Sequence, residues 1–397
     1  MKVRIYSPFF PYPVTEGAFQ VIYDQVRFFA HRGDEVELVI WKNQSEKELD
    51  ANPLGLNFPV QIHRFSHSHQ NVYLRVLHSL WSHFASPELY YYPPDCDERA
   101  GLGEVDLAIY HYSFSYPWFK KVRLPAEKKR VVHFHNLEHE LSELRSRSFQ
   151  NKWDPRKWIH QRNARRLNQH ERELRLLVDE LWFVSPADLE QYGSSHGKAL
   201  LRLVGPTFDQ DLLEFRARSF KRDKKAPPIF GFLGNLEFGP NQDSVRWILE
   251  QVAPLLQKRS FTGKILIVGK NPPQVLRDLA VSFAFVEFTG FLEDIEDFWA
   301  KISFLLIPHI TGSGIRIKLL EALAFKIPVL TNSAAVQRMH PGLSQLPLLF
   351  SFDQPSEWAD LLLTETAFQT RMLYQKTVFP EVLDGKSIYQ FLESMDC

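Results

Sequence analysis

Scarcities narrow this sequence first. Cysteine occurs only at positions 96 and 397 of 397 residues, far apart and without CxxC spacing, which excludes a disulfide framework or a thiolate zinc site. No run of about 18 apolar residues is present, so no stretch reads as a membrane span. Neither sign of charge is in excess: 47 Lys plus Arg face 47 Asp plus Glu. The chain as a whole therefore has no attraction for nucleic acid or anionic lipid. The opening MKVRIYSPFFPYP lacks the apolar core and small-residue cleavage site of a signal peptide, and the expected location is the cytoplasm. The loops also lack GxxxxGK[ST] and GxGxxG, which removes support for a nucleotide triphosphatase or a dehydrogenase.

What is present is alternation. Short runs rich in Val, Ile, Leu and Phe (VRIY, EVELVIW, DLAIYHY, KRVVHFH, ELWFV) are separated by helical patterns such as GAFQVIYDQVRFFAHRG, the pattern of parallel strands covered by helices. Ser185 is placed to cap a helix that has Pro186 at its first position. Residues 44–100 read as irregular and aromatic, with a helix over HSHQNVYLRVLHSLWSHF. The polar stretch SFKRDKKAPP, residues 219–228, reads as a linker. Beyond it, six apolar runs alternate with helices from IFGFLGN to PLLFSF. The expected class is α/β: two Rossmann-like parallel-sheet domains facing each other across a cleft. Ligands of such sheets bind in the loops that follow the strands.

Four of those loops carry chemistry. SPFFPYPVTEGAF enters a helix through Gly17, whose missing side chain would let a ligand approach the helix amino terminus. VVHFHNLEHE places His133 and His135 on one strand face, with His135 and Asn136 near the strand's end. A metal cluster of His133, His135, Glu138 and His139 is the weaker reading, because no closed zinc-type spacing is present. A substrate-contacting His135 is the stronger one. GNLEFGPNQDSV, with Gly234 and Asn235, could cradle phosphate with its backbone N–H groups.

The fourth loop, IPHITGSGIRIKLLEALAFKIPVLT, places Arg316 and Lys318 in the first turn of a predicted helix. Peptide dipoles already put positive partial charge there, which disfavours further cations unless an anion is bound. Apolar residues occupy most of that helix's circumference, so its charges must be paired or bound to something. Lys318 and Glu321 fall about 60° apart on one side, with Arg316 on the other. A diphosphate meets these requirements better than distant acidic partners do. Gly312 and Gly314 let it approach the backbone, the helix end polarises toward it, and the two cations neutralise it without a metal. Glu321, one turn deeper, can accept from ribose hydroxyls.

GSGIRIKLLEALAFKIPVLT resembles the donor-binding segment of retaining GT-B glycosyltransferases of the family-4 type, in the branch reading GxGIRxKxLEAxAxxxPVxxT. The similarity extends through the second half and is visible in ERELRLLVDELWFVSPAD. The resemblance implies an acceptor-side domain over 1–206, completed by a crossover helix around 376–397, and a nucleotide-sugar domain over 207–375. It implies transfer of a hexose-type sugar from a nucleotide diphosphate sugar, UDP before GDP, to an acceptor hydroxyl with retained configuration. No cofactor or metal is called for beyond that co-substrate. By the same resemblance His135 contacts the sugar, Glu321 holds the ribose, and Phe291 lies at the turn whose backbone meets the base. Gly312, Ser313, Gly314 and Ile315 line the donor, Gly17 faces the diphosphate and acceptor, and Glu16 and Asn136 stand on the acceptor side.

Two departures from the family matter. Ser313 stands where the first Glu of the E-x7-E motif is expected. Asn235 and Asn241 replace an Arg and a Lys, so Arg316 and Lys318 take over the diphosphate charge. With no obvious nucleophile in the sequence, front-face displacement is expected. Residues 145–175 are strongly basic, with Trp153 and Trp158 interleaved. That segment reads first as a solvated helix face and alternatively as a peripheral membrane contact near a lipid-linked acceptor. A nucleotide-sugar epimerase and a non-catalytic nucleotide-sugar-binding protein are the competing functions.

Overall fold

The computed structural model describes residues 1–12, 17–42, 60–66, 102–116, 126–149, 151, 153–193, 197–205, 227–292, 295–310, 316–325, 327–339 and 348–364. The expected helix over HSHQNVYLRVLHSLWSHF, most of the linker and the crossover helix around 376–397 lie outside them. Two compact units result, one holding Met1–Gly205 and one holding the described residues from 227 onward.

The first unit runs β1 (Lys2–Ser7), α1 (Gly17–His31), β2 (Glu35–Lys42), β3 (Val60–Ser66), β4 (Val105–His111) and β5 (Glu127–Phe134). It continues α2 (Glu138–Ser148), α3 (Pro155–Leu177), β6 (Glu180–Phe183), α4 (Pro186–Gly193) and β7 (Leu200–Leu203). The seven strands form one sheet in the order β3-β2-β1-β4-β5-β6-β7, every pairing parallel. The central strands are buried on both faces, and so they read as near-continuous apolar runs. The edge strands β3 and β7 are covered less and carry charge or alternation, which is why apolar periodicity did not announce them. Ser185 caps α4 as expected, its hydroxyl accepting the Asp188 N–H at 3.2 Å.

Within this sheet the start of β1 holds a buried ion cluster. Arg4 is fully buried; its Nε donates to Glu37 Oε2 at 2.6 Å and its Nη2 to the Gly103 carbonyl at 2.7 Å. Lys2 Nζ lies 2.8 Å from the other Glu37 oxygen. Beside it, Tyr6 and Tyr110 stack with centroids 4.3 Å apart and both donate to Glu127.

The second unit runs β8 (Ile229–Leu233), α5 (Gly239–Trp247), a π-helical stretch Ile248–Val252, α6 (Ala253–Lys258), β9 (Lys264–Val268), α7 (Gln274–Ala280) and β10 (Val286–Gly290). It continues α8 (Ile295–Lys301), β11 (Phe304–Ile307), α9 (Ile317–Ala324), β12 (Val329–Thr331), α10 (Ser333–Val336), β13 (Leu349–Ser351) and α11 (Pro355–Leu363). Its six-stranded sheet has the order β10-β9-β8-β11-β12-β13, again parallel throughout. Alternation along β11 sends Phe304 and Leu306 into one core layer and Leu305 and Ile307 into the other, as the two-residue period of a strand requires. The single helix expected over SVRWILEQVAPLLQ is interrupted instead. The Ala253 N–H bonds the Ile248 carbonyl, a wider turn that lies just ahead of Pro254, which has no N–H to donate.

Candidate functional site

In the second unit, β8 and β11 are neighbours whose following connections lead to opposite sides of the sheet. The loops after them part at that switch point, and a crevice opens at the carboxyl ends of the strands. After β8, the Gly234 N–H donates to the Val268 carbonyl at 3.0 Å. A Cβ on Gly234 would stand 2.8 Å from Asn241 Nδ2, and one on Gly269 only 2.1 Å from the Gly234 carbonyl oxygen. The backbone oxygen excludes a side chain at position 269, whereas one at 234 would have to displace the Asn241 amide. Asn241 Nδ2 donates to the Asn235 carbonyl at 2.9 Å, which ties the glycine loop to the start of α5.

Arg316 reaches the same place from β11's side. It is the residue before α9, whose first helical position is Ile317, so the helix starts one residue later than the pattern suggests. Its Nε donates to His309 Nδ1 at 2.9 Å and its Nη1 to Asn241 Oδ1 at 3.3 Å. Both acceptors are neutral. Burial, with Arg338 nearby, brings the guanidinium down to about 10, against the pull of Asp243. It stays charged at neutral pH and stands beside a helix amino terminus, where an anion would be favoured by both.

His309 is the residue that sequence reasoning missed. Because its Nδ1 accepts from Arg316, the ring proton sits on Nε2. Its backbone exchanges two hydrogen bonds with Asn332, N–H to Oδ1 at 3.0 Å and Nδ2 to carbonyl at 3.0 Å. Ser244 of α5 donates to the preceding Pro308 carbonyl at 2.6 Å. A histidine directly after the apolar run FLLIP was the available signal.

Lys318 and Glu321 pair with each other at 2.6 Å, one turn apart on α9. Glu321, expected at the ribose, is thus engaged by Lys318 in the ligand-free chain. Phe291 follows β10 with its ring half exposed, and Lys270 Nζ stands 4.7 Å from its centroid. Gly312, Ser313, Gly314 and Ile315 lie outside the described residues, as does Glu16.

In the first unit three histidines converge at the ends of β4 and β5. His111 Nδ1 lies 3.0 Å from His135 Nε2, and His133 Nδ1 accepts from Gln25 Nε2 of α1 at 2.7 Å. Burial holds His133 down to about 3; burial and the neighbouring rings hold His111 and His135 well below the ordinary imidazole value. All three are neutral at pH 7, so His135 carries hydrogen-bonding groups and no charge. Tyr112 stacks on it with centroids 4.4 Å apart, held at φ 72°, a region costly for a bulky residue and most often met at functional sites. Asn136 lies half-buried between β5 and α2, and Gly17 is the first residue of α1. His139 faces away from the trio, with its Nδ1 2.5 Å from Glu171 Oε2. Among the described residues no group of three or more His, Cys, Asp or Glu side chains is placed to hold a metal, and no helix is long and apolar enough to cross a membrane.

Comparison with known proteins follows these boundaries. Residues 227–364 match the family described as Glycosyl transferases group 1. No curated protein matches the chain. Among solved structures, the fold is similar to a sucrose-phosphate synthase from Thermosynechococcus elongatus at TM-score 0.64 and 14% identity, covering 100% of this chain and 99% of that one. It is similar to HepE from Anabaena, solved in complex with UDP and glucose, at TM-score 0.61 and 13% identity with both chains fully covered. WaaG, a glycosyltransferase involved in lipopolysaccharide biosynthesis, aligns at TM-score 0.59 and 15% identity over 97% of this chain and 98% of its own. Residues 227–364 of the second unit thus match the Glycosyl transferases group 1 model, within a chain of two Rossmann-like parallel-sheet units that shares the two-domain fold of these structures.

Proposed function

We propose that the chain is a retaining glycosyltransferase of the family-4 type that moves a hexose from a nucleotide diphosphate sugar, UDP before GDP, to an acceptor hydroxyl. The observation that carries this is Arg316: a half-buried guanidinium, hydrogen-bonded to His309 and Asn241, that stands at the switch point and beside the start of α9 in the unit that matches the Glycosyl transferases group 1 model. Departure of a nucleoside diphosphate builds negative charge on its leaving oxygen. Cations and helix N–H groups already aimed there lower the barrier without reorganisation. Arg316 and Lys318 supply that charge in this reading, so the reaction runs without a metal. The neutral His135 orients sugar hydroxyls by hydrogen bonding, and front-face displacement through an oxocarbenium-like ion pair retains configuration.

A thermal-shift panel of UDP, GDP, ADP and their sugars, in EDTA, is expected to single out one nucleotide family and to favour UDP. The matching sugar donor with acceptor should then give an α-configured product from an α-configured donor. An inverted product sinks the retaining assignment, and indifference to every nucleotide sinks the donor site. Epimerised donor without acceptor marks an epimerase.

The acceptor is placed in cell-surface polysaccharide or glycolipid synthesis, where a membrane is near. Buried residues of α3 recur at helical spacing, His160, Ala164, Leu167, Glu171 and Leu174, so Trp158, Arg162, Arg165, Arg172 and Leu176 follow the opposite face. Trp158 is largely exposed. A Trp anchor on a basic helix face fits an anionic bilayer surface. Co-sedimentation with vesicles containing phosphatidylglycerol, but not with pure phosphatidylcholine, is the expected result; indifference to both returns α3 to a solvated face.

A further inference from the structure

We infer that Glu171 is a positioning residue of the first unit: its buried carboxylate holds together the two strand-end loops that present His135 and Asn136. This rests on the reading above, in which His135 contacts the donor sugar. Glu171 lies on the inner face of α3 and is 1% exposed. Its Oε1 accepts the Glu138 N–H at 2.9 Å and the Ser113 hydroxyl at 3.1 Å. Its Oε2 faces His139 Nδ1 at 2.5 Å.

Each contact has a reason. Helix α2 has Leu137 at its cap position and no side-chain cap, which leaves first-turn N–H groups needing acceptors. Glu171, from another helix, caps α2 directly after His135-Asn136-Leu137, and its negative charge suits that helix's positive end. Ser113 follows Tyr112, the residue held at positive φ with its ring on His135. Next to Glu171, His170 Nε2 donates to the Ser113 carbonyl at 2.9 Å, so two consecutive residues of α3 hold the hydroxyl and the carbonyl of Ser113. Tyr192 of α4 in turn donates to the Glu171 carbonyl. A strained backbone persists only when its surroundings over-determine it. These contacts over-determine Tyr112.

The chemistry of His139 supplies a readout that a purely structural role would not move. Burial works against its charge, yet the bond to Glu171, with Glu140 and Glu143 on its own helix, holds it above the ordinary imidazole value. In Glu171→Gln the amide oxygen can still accept from Ser113 and the Glu138 N–H. Its amide N–H then donates to His139 Nδ1, which requires His139 neutral. Protonated His139 would oppose that donor, and turning the amide would leave the Glu138 N–H facing another N–H.

The experiment compares parent and Glu171→Gln at pH 8 and pH 5.5, with sugar transfer and amide hydrogen exchange as separate readouts. At pH 8 the variant is expected to transfer within about threefold of parent, and at pH 5.5 at least about tenfold below it, because His139, still drawn toward protonation by Glu140 and Glu143, then opposes the amide donor. Exchange in peptides spanning 110–116 and 134–141 rises over parent at pH 5.5 and matches it at pH 8. The same variant-to-parent ratio at both pH values, or exchange unchanged at both, overturns the inference. If the parent transfers no sugar, the proposed function falls while the exchange readout still decides the role of Glu171. Should Glu171→Gln fail to fold, Ser113→Ala replaces it: faster exchange over 110–116 supports the inference, and parent-like exchange overturns it.

Discussion

Arg316→Met and Lys318→Ala are each expected to lower kcat/KM for the nucleotide sugar by about 10²–10³-fold, the usual cost of removing one preorganised group that meets developing charge. Neither change should cost much stability. Arg316 is half-buried, its charge is disfavoured by desolvation and by Arg338 and favoured by Asp243, and its hydrogen bonds include those to His309 and Asn241. Methionine keeps the aliphatic stem and removes the charge, so the variant should lose nucleotide binding with little change in melting temperature. Lys318 is partly exposed and pairs with Glu321, so Lys318→Ala should cost little stability beyond leaving Glu321 without that partner. Donor binding measured by calorimetry, beside a melting curve for each variant, separates a ligand role from a structural one. Parent-like turnover in either variant would sink the diphosphate assignment.

Glu37→Met is expected to destabilise the first unit by about 3–5 kcal/mol, because it leaves the fully buried Arg4 guanidinium without its charge partner. The remaining contacts, to the Gly103 carbonyl and the Tyr6 hydroxyl, cannot neutralise it. Arg4→Met with Glu37→Leu should recover most of the loss, since well-packed apolar residues often replace a buried ion pair at no cost. The urea midpoint for this unit measures both, and an additive double variant would show that the pair is not coupled. The same cluster sets a pH dependence. Burial opposes ionisation of Glu37, but Lys2 and Arg4 overcome it and hold the carboxyl below the ordinary carboxylate range. A group with a depressed folded value contributes stability that is present above its unfolded value and lost as pH falls through the folded one. Stability from Glu37 therefore disappears only on strong acidification. Glu37 should have no direct effect on donor binding, because it contacts the start of β1 and not its carboxyl end.

Much of this was legible before the structure. In the second half every expected strand is present: β11 and β12 are buried along their length and must be apolar, and even the partly exposed edge strands β10 and β13 keep short apolar runs. Arg316 and Lys318 stood out because charge beside a helix amino terminus, in an otherwise apolar helix, demands a partner. The pairing distance of Lys318 and Glu321, three residues apart, also followed from residue spacing. The edge strands β3 and β7 did not show, since strands covered less fully lose the apolar signal. The interruption before α6 was also missed, although Pro254 marked it.

By itself the sequence determined the alternation of strands and helices, the carboxyl-end loops that carry the site residues, and the α9 cations, all set by local periodicity and by the electrostatics of one helix end. Only the tertiary structure decided which groups those residues meet. His309 reaches Arg316 from the loop after β11 and Asn241 from the start of α5, Glu171 caps α2 from 33 positions away, and His111 joins His135 across paired strands. Such partners are chosen by strand order and helix packing, which bring distant positions together at hydrogen-bond distance and leave no periodic trace in the chain.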